Sequence, residues 1–112
     1  MNNNETVAAF AERLELKAVN LSSPDRIVGE GYVGDLLSWV MGRAPADGAW
    51  VTVMTNVNVI AEAVMAELPC VILTEGVRPD DIALQRARDQ EISVLVSDKP
   101  TYETCLSIGK VL

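Results

Sequence analysis

Apolar residues recur along the chain with two periods, and their alternation sets the expected elements. Val7, Phe10, Ala11 and Leu14 fall at i, i+3, i+4 and i+7, which predicts a helix over about residues 6–14. Thr6 or Asn4 can cap it with a side-chain oxygen. Residues 16–19 alternate like a short strand, and 22–25 form a Ser-Ser-Pro-Asp turn. Residues 26–28 read as a second strand entering a glycine-rich stretch. Asp35 is expected to cap a short helix with Leu36, Leu37, Val40 and Met41 on its apolar face. Gly42 and Pro45 should end that helix.

The second half is more regular. Strands are expected at 49–54, 69–74 and 92–96, the last two apolar throughout and so buried on both faces. Helices are expected at 57–68, at 79–90 with Pro79 in its first turn, and at 100–112. The last should carry Tyr102, Cys105, Leu106 and Gly109 on one face. Strand–helix alternation at this spacing means βαβ units with right-handed crossovers. The expected fold is α/β: a three-layer α/β/α sandwich with a mainly parallel sheet of about five strands, residues 1–112 forming a single domain. Residues 57–66 are apolar nearly all round. That helix is either enclosed within the domain or meets another subunit; association is expected through it or through the Trp39 side of the preceding helix, giving a homodimer.

Composition narrows the chemistry. The chain of 112 residues contains no histidine, which removes His general bases, Ser–His and Cys–His pairs and His-ligated metals. Nine basic against 16 acidic residues leave a charge of −7, so neither nucleic acid nor an anionic membrane is an expected partner. No apolar run reaches the ~20 residues of a spanning helix. The first residues lack the pattern of a signal peptide, so the expected location is cytoplasmic. Cys70 and Cys105 are expected to be reduced, buried thiols. No catalytic residue, cofactor or metal site is assigned.

Gly29, Gly31 and Gly34 match G-x-G-x-x-G between a strand and a helix. Glu30 and Asp35 would oppose a pyrophosphate there, and no acidic residue ends the next strand to hold a ribose. Close packing or tight turns account better for the glycines. Ligands of open parallel sheets bind outside the carboxyl ends of the strands. The candidates there are Thr55, Asn56 and Asn58, then Thr74, Glu75, Gly76 and Arg78, then Ser97, Asp98 and Lys99. Their hydroxyls, amides and two cations suit a small anionic metabolite or a nucleotide. Read singly, Asn56, Asp80 and Asp98 are helix caps.

The stretch 25–38, reading Asp-Arg-Ile-Val-Gly-Glu-Gly-Tyr-Val-Gly-Asp-Leu-Leu-Ser, resembles the DRTGG domain family. Residues 50–53, 56–61 and 72–76 fit it as well. Two residues separate Arg26 from Gly29, and Glu30 splits the glycines. The family is similar to the N-terminal, non-catalytic α/β/α domain of HPr kinase/phosphorylase. Related domains attached to phosphate acetyltransferases and CBS pairs imply a regulatory or ligand-sensing module. The resemblance carries over Asp25, Arg26, Gly29, Gly31, Tyr32 and Asp35 as a signature segment and no catalytic residue. It implies a domain that binds a small anionic metabolite or nucleotide and acts through a partner enzyme. A homodimeric interaction scaffold without a ligand is the alternative. A small metal-dependent phosphotransfer enzyme using Asp25, Asp35 or Glu75 is the least favoured reading.

Overall fold

A computed structural model describes residues 4–112. Four parallel strands stand side by side in chain order: β4 (Glu30–Val33), β5 (Gly48–Thr52), β6 (Cys70–Leu73) and β7 (Ser93–Val96). β2 (Lys17–Asn20) closes the far edge, antiparallel to β7, so the sheet order is β2-β7-β6-β5-β4. The expected five-stranded, mainly parallel sheet is present. Residues 26–28 do not join it. Of these, β3 (Ile27–Val28) pairs antiparallel with β1 (Glu5–Thr6) in a separate two-stranded ribbon.

Strand order fixes where the helices lie. Each step from β4 to β7 moves one place the same way, so right-handed crossovers put all three connecting helices on one face. These are α2 (Leu37–Arg43), α3 (Val57–Met65) and α4 (Asp81–Asp89). α1 (Val7–Arg13) and α5 (Thr101–Val111) cover the other face. Side-chain alternation then divides two cores. Trp50, Val71 and Val94 meet Val40, Ile60 and Ala83 of α2, α3 and α4. Ala49, Ile72 and Leu95 meet Phe10 of α1 and Ile108 of α5.

α3 lies between α2 and α4, which resolves its apolar circumference. Val59, Ile60 and Ala63 are buried within the domain, and the side chains of Val64 and Met65 reach solvent.

Three helices stop by the same device. The residue after the C-cap is Glu15 in α1, Glu67 in α3 and Glu91 in α4, with φ of 56°, 58° and 57°. The next N–H, from Leu16, Leu68 or Ile92, donates back to Ala11, Ala63 or Ala87. This is a Schellman ending, a position normally filled by glycine. α3 and α4 therefore end at Met65 and Asp89, short of the expected 68 and 90. α4 is capped by Asp80, which places Pro79 before the helix and not in its first turn. On α5 the buried residues are Thr104 and Ile108. Tyr102 and Leu106, on the face expected to be shared with Cys105 and Gly109, are 74 % and 49 % exposed.

Candidate functional site

The carboxyl ends of β6 and β7 are where the chain parts company. The loop after β6 leads to α4 on one face, and the loop after β7 leads to α5 on the other. Such a divergence opens the crevice in which α/β domains take ligands. Here the two loops are laced together. Glu75 N–H donates to Lys99 O at 2.9 Å, and Gly76 N–H to Ser97 O at 3.1 Å. The buried Thr74 hydroxyl meets that of Thr101 at 2.6 Å. Ser97 Oγ is shared between the Thr104 hydroxyl at 2.9 Å and Lys99 N–H at 3.2 Å. Glu75 and Gly76 reach this geometry with φ of 61° and 75°.

The charged candidates divide. Arg78 donates to Asp98 Oδ1 at 3.1 Å and turns back on the carbonyls of Gly76 and Val77. Asp98 is thus an ion-pair partner and caps no helix. The Glu75 carboxylate accepts the N–H of Thr101 at 2.6 Å. That N–H opens α5, so an acidic side chain of the chain itself occupies the anion-favouring end of the helix. Lys99 lies exposed on the same loop.

Thr55, Asn56 and Asn58 belong to the neighbouring β5–α3 turn. Asn56 caps α3 by accepting from Asn58 N–H at 2.9 Å, and Thr55 O accepts from Asp80 N–H at 3.1 Å. The hollow beside Thr55 and Asn56 measures only about 10 Å³ and is lined mainly by apolar residues. The structure therefore brings the β6 and β7 candidates into one network and holds the third group beside it. Thr101 and Thr104, which complete that network, were not among the candidates. A hydroxyl four residues after Ser97 and another seven after it are the signal, legible only once Pro100 is known to start a helix.

Arg26 and Asp35 of the signature segment are tied into the fold. Arg26 donates to the Glu67 and Leu68 carbonyls at 2.7 and 3.0 Å, holding the end of α3. Gly29, Gly31 and Gly34 do not form a phosphate loop. Residues 30–33 are strand β4, and Gly76 is the one glycine of positive φ among the described residues. Close packing explains two of them: a Cβ on Gly29 would strike the Asp47 carboxylate, and one on Gly31 would stand 3.3 Å from Ile108. Asp35 does not cap α2, whose N-cap is Leu36 without a side-chain bond. It accepts from Thr52 Oγ at 2.6 Å and Val53 N–H at 3.1 Å, so it ties the end of β5. Tyr32 is half-buried against the α2–α4 core, and Asp25 is exposed in the turn before Arg26.

Both cysteines are free thiols. Burial pushes the Cys70 thiol up to about 12, with Arg26 pulling the other way. Burial raises the Cys105 thiol as well. Among the described residues, no helix is long and apolar enough to cross a membrane.

Fold and loops define an α/β module with a mixed sheet and a hydrogen-bonded switch point. The chain belongs to the DRTGG domain family, whose profile matches residues 36–111. The match begins just after the segment 25–35 that holds the signature residues. No curated protein matches the chain. A solved structure of similar fold is that of the CBS and DRTGG domains of the regulatory region of Clostridium perfringens pyrophosphatase, complexed with its activator, diadenosine tetraphosphate. The TM-score is 0.77 at 15 % identity, over 96 % of this chain and 47 % of that one. The chain thus spans about half the length of that structure.

Proposed function

We propose that this chain is a non-catalytic regulatory domain that binds a small anionic metabolite or nucleotide and acts through a partner enzyme. The carrying observation is its DRTGG family membership, together with a fold shared along 96 % of its length with a pyrophosphatase regulatory region. The switch-point loops supply the ligand-facing groups. Arg78 and Lys99 are the cations there, and Thr74, Gly76 and Ser97 hold the loops in register. A polyphosphate would replace Asp98 as the partner of Arg78, exchanging an exposed ion pair of small worth for a multivalent one. The acidic surface outside this point favours a ligand that presents its charge locally over an extended polyanion.

The test is a thermal-shift series with diadenosine tetraphosphate, mononucleotides, acetyl phosphate and simple carboxylates, each against matched salt. Stabilisation by one class, lost in Arg78→Ala and Lys99→Ala, supports the reading. No stabilisation beyond that of salt removes the ligand from it.

The second reading is a homodimeric interaction scaffold without a ligand. It is supported by exposed apolar side chains, among them Val33, Leu36, Trp39 and Leu106. A dimer is compatible with either reading. The expected location is cytoplasmic.

A further inference from the structure

Among the described residues, Glu62 Oε2 is the buried side-chain oxygen that lacks a hydrogen-bond partner. The residue is only 9 % exposed. Its place on α3 follows from helical spacing. Ile60 and Val64 line hollows shared with Ala83 and Gln90 on the α4 side. Glu62, two residues from each, stands about 200° away round the helix. It therefore faces α2, across the seam between α2 and α3.

Among the described residues, no cation answers this carboxylate. α3 carries no other charge over Val57–Met65. The one charge of α2 is Arg43, whose guanidinium lies 3.8 Å from the centroid of the Trp39 ring. Beneath the seam the sheet presents Tyr32 and Trp50. The charges of α4 lie on the far side of α3. The ion pairs Glu5–Arg13 and Arg78–Asp98 do not involve Glu62.

The solvent side of the seam is apolar. Leu37, Met41 and Ala44 fall at i, i+4 and i+7 on α2. Leu37 and Ala44 pack on the core beneath, and Met41 between them is 39 % exposed. Met65, one turn after Glu62 on α3, is 69 % exposed. Two flexible thioether chains thus rim a carboxylate that has no counter-charge. Asn4, where the described chain begins, lies against Gly29, beside the ribbon whose Val28 packs into the core of the opposite sheet face.

We propose that this seam receives an arginine side chain of a partner protein, its guanidinium paired with Glu62 and its alkyl stem laid along Met41 and Met65. The proposal rests on the reading of the chain as a domain that acts through a partner enzyme, and names where that partner docks. The argument is charge complementarity at one point. A buried carboxylate without a counter-charge destabilises the free domain, and a guanidinium brought to it supplies paired donors for both oxygens. Arginine suits the seam better than lysine, because its guanidinium is the more weakly hydrated cation. Methionine chains adapt their shape to such a stem. The net charge of −7 steers a basic surface towards the domain.

Methyl NMR of the purified chain, titrated with N-acetylarginine methylamide at constant ionic strength, tests this. The Met41 and Met65 signals are expected to move. The Met54 signal, from the hollow beside Thr55 and Asn56, should stay in place. The norleucine derivative, which has the stem without the charge, should move none of them. Binding should weaken about tenfold in Glu62→Gln, with circular dichroism unchanged. Met65→Ser, at an exposed position, should weaken it too. Unmoved Met41 and Met65 signals, an equal response to norleucine, or undiminished binding in either variant overturns the docking site. An equal or stronger response to the lysine derivative overturns the choice of arginine. Each of these outcomes leaves the ligand response at the switch point standing, since that is read from Arg78→Ala and Lys99→Ala.

Discussion

The Glu75 carboxylate accepts the backbone N–H of Thr101 at 2.6 Å, so the loop after β6 caps the helix that follows β7. The bond joins two segments that leave the sheet towards opposite faces. It satisfies an orphan N–H of α5 and sets a negative charge at the positive end of the helix dipole. Glu75→Ala should therefore cost about 1–2 kcal/mol of unfolding free energy. Glu75→Gln, which keeps an acceptor, should cost less. Urea unfolding followed by circular dichroism checks both. Equal losses would mean that the charge and not the neutral acceptor carries the stabilisation, and no loss in either would mean that the bond contributes nothing.

The course of the sheet was legible because apolar strands alternate with helices between residues 48 and 111. The helix ends were less so. An α-helix stop is usually read from glycine, and Glu15, Glu67 and Glu91 carry no such signal. The expected helices 57–68 and 79–90 consequently overran their ends. Asp35 was misread for a related reason. Its place before a helix suits a cap, but Thr52 and Val53 lie 17 and 18 residues on and compete for the same oxygen. The signature residue Arg26 likewise acts 41 and 42 residues away. Local pattern registers neither tie, because each depends on which strands become neighbours. Topology places the candidate loops at the carboxyl ends of β5, β6 and β7. That they bond chiefly to one another follows from the register of β6 with β7.

Arg26 fastens the β3 ribbon to the end of α3, through the carbonyls of Glu67 and Leu68. Two charge-assisted bonds are lost together in Arg26→Ala, which predicts a destabilisation of about 2–3 kcal/mol. Arg26→Lys should recover only part of it, since one ammonium cannot present the planar fork that spans both carbonyls. Chemical denaturation of the three proteins gives the order. Loss of ligand response without loss of stability in Arg26→Ala would instead mark the residue as a ligand contact.

Glu62 is buried on α3, and its Oε2 has no hydrogen-bond partner. Burial raises its carboxyl above its ordinary value. The folded state then binds this proton more tightly than the unfolded one. Ionised Glu62 is destabilising, and stability at this site rises as pH falls through its titration. Glu62→Gln should stabilise the protein by about 1 kcal/mol at neutral pH. The gain should vanish below the unfolded carboxylate value of ~4.3. Unfolding free energies of the two proteins across that range supply the difference. A gain that persists undiminished in acid would show that packing, and not charge, limits the site.

The left-handed glutamates offer the last prediction. A β-carbon at φ near 57° crowds the following carbonyl, a cost of about 1 kcal/mol that glycine escapes. Each of these carboxylates also lies at the negative end of its helix dipole. Both terms act in the same direction. Glu91→Gly should therefore stabilise the fold by about 0.5–1 kcal/mol, although glycine elsewhere in a helix weakens it. Glu67→Gly should gain similarly, because Arg26 bonds the backbone carbonyl of that residue and not its side chain. Glu12→Gly, within α1, is the contrasting variant and should lose about 1 kcal/mol. Thermal and urea unfolding of the three variants would give opposite signs if the Schellman endings are formed as described. A loss in all three would mean that α3 and α4 continue through Glu67 and Glu91 in solution.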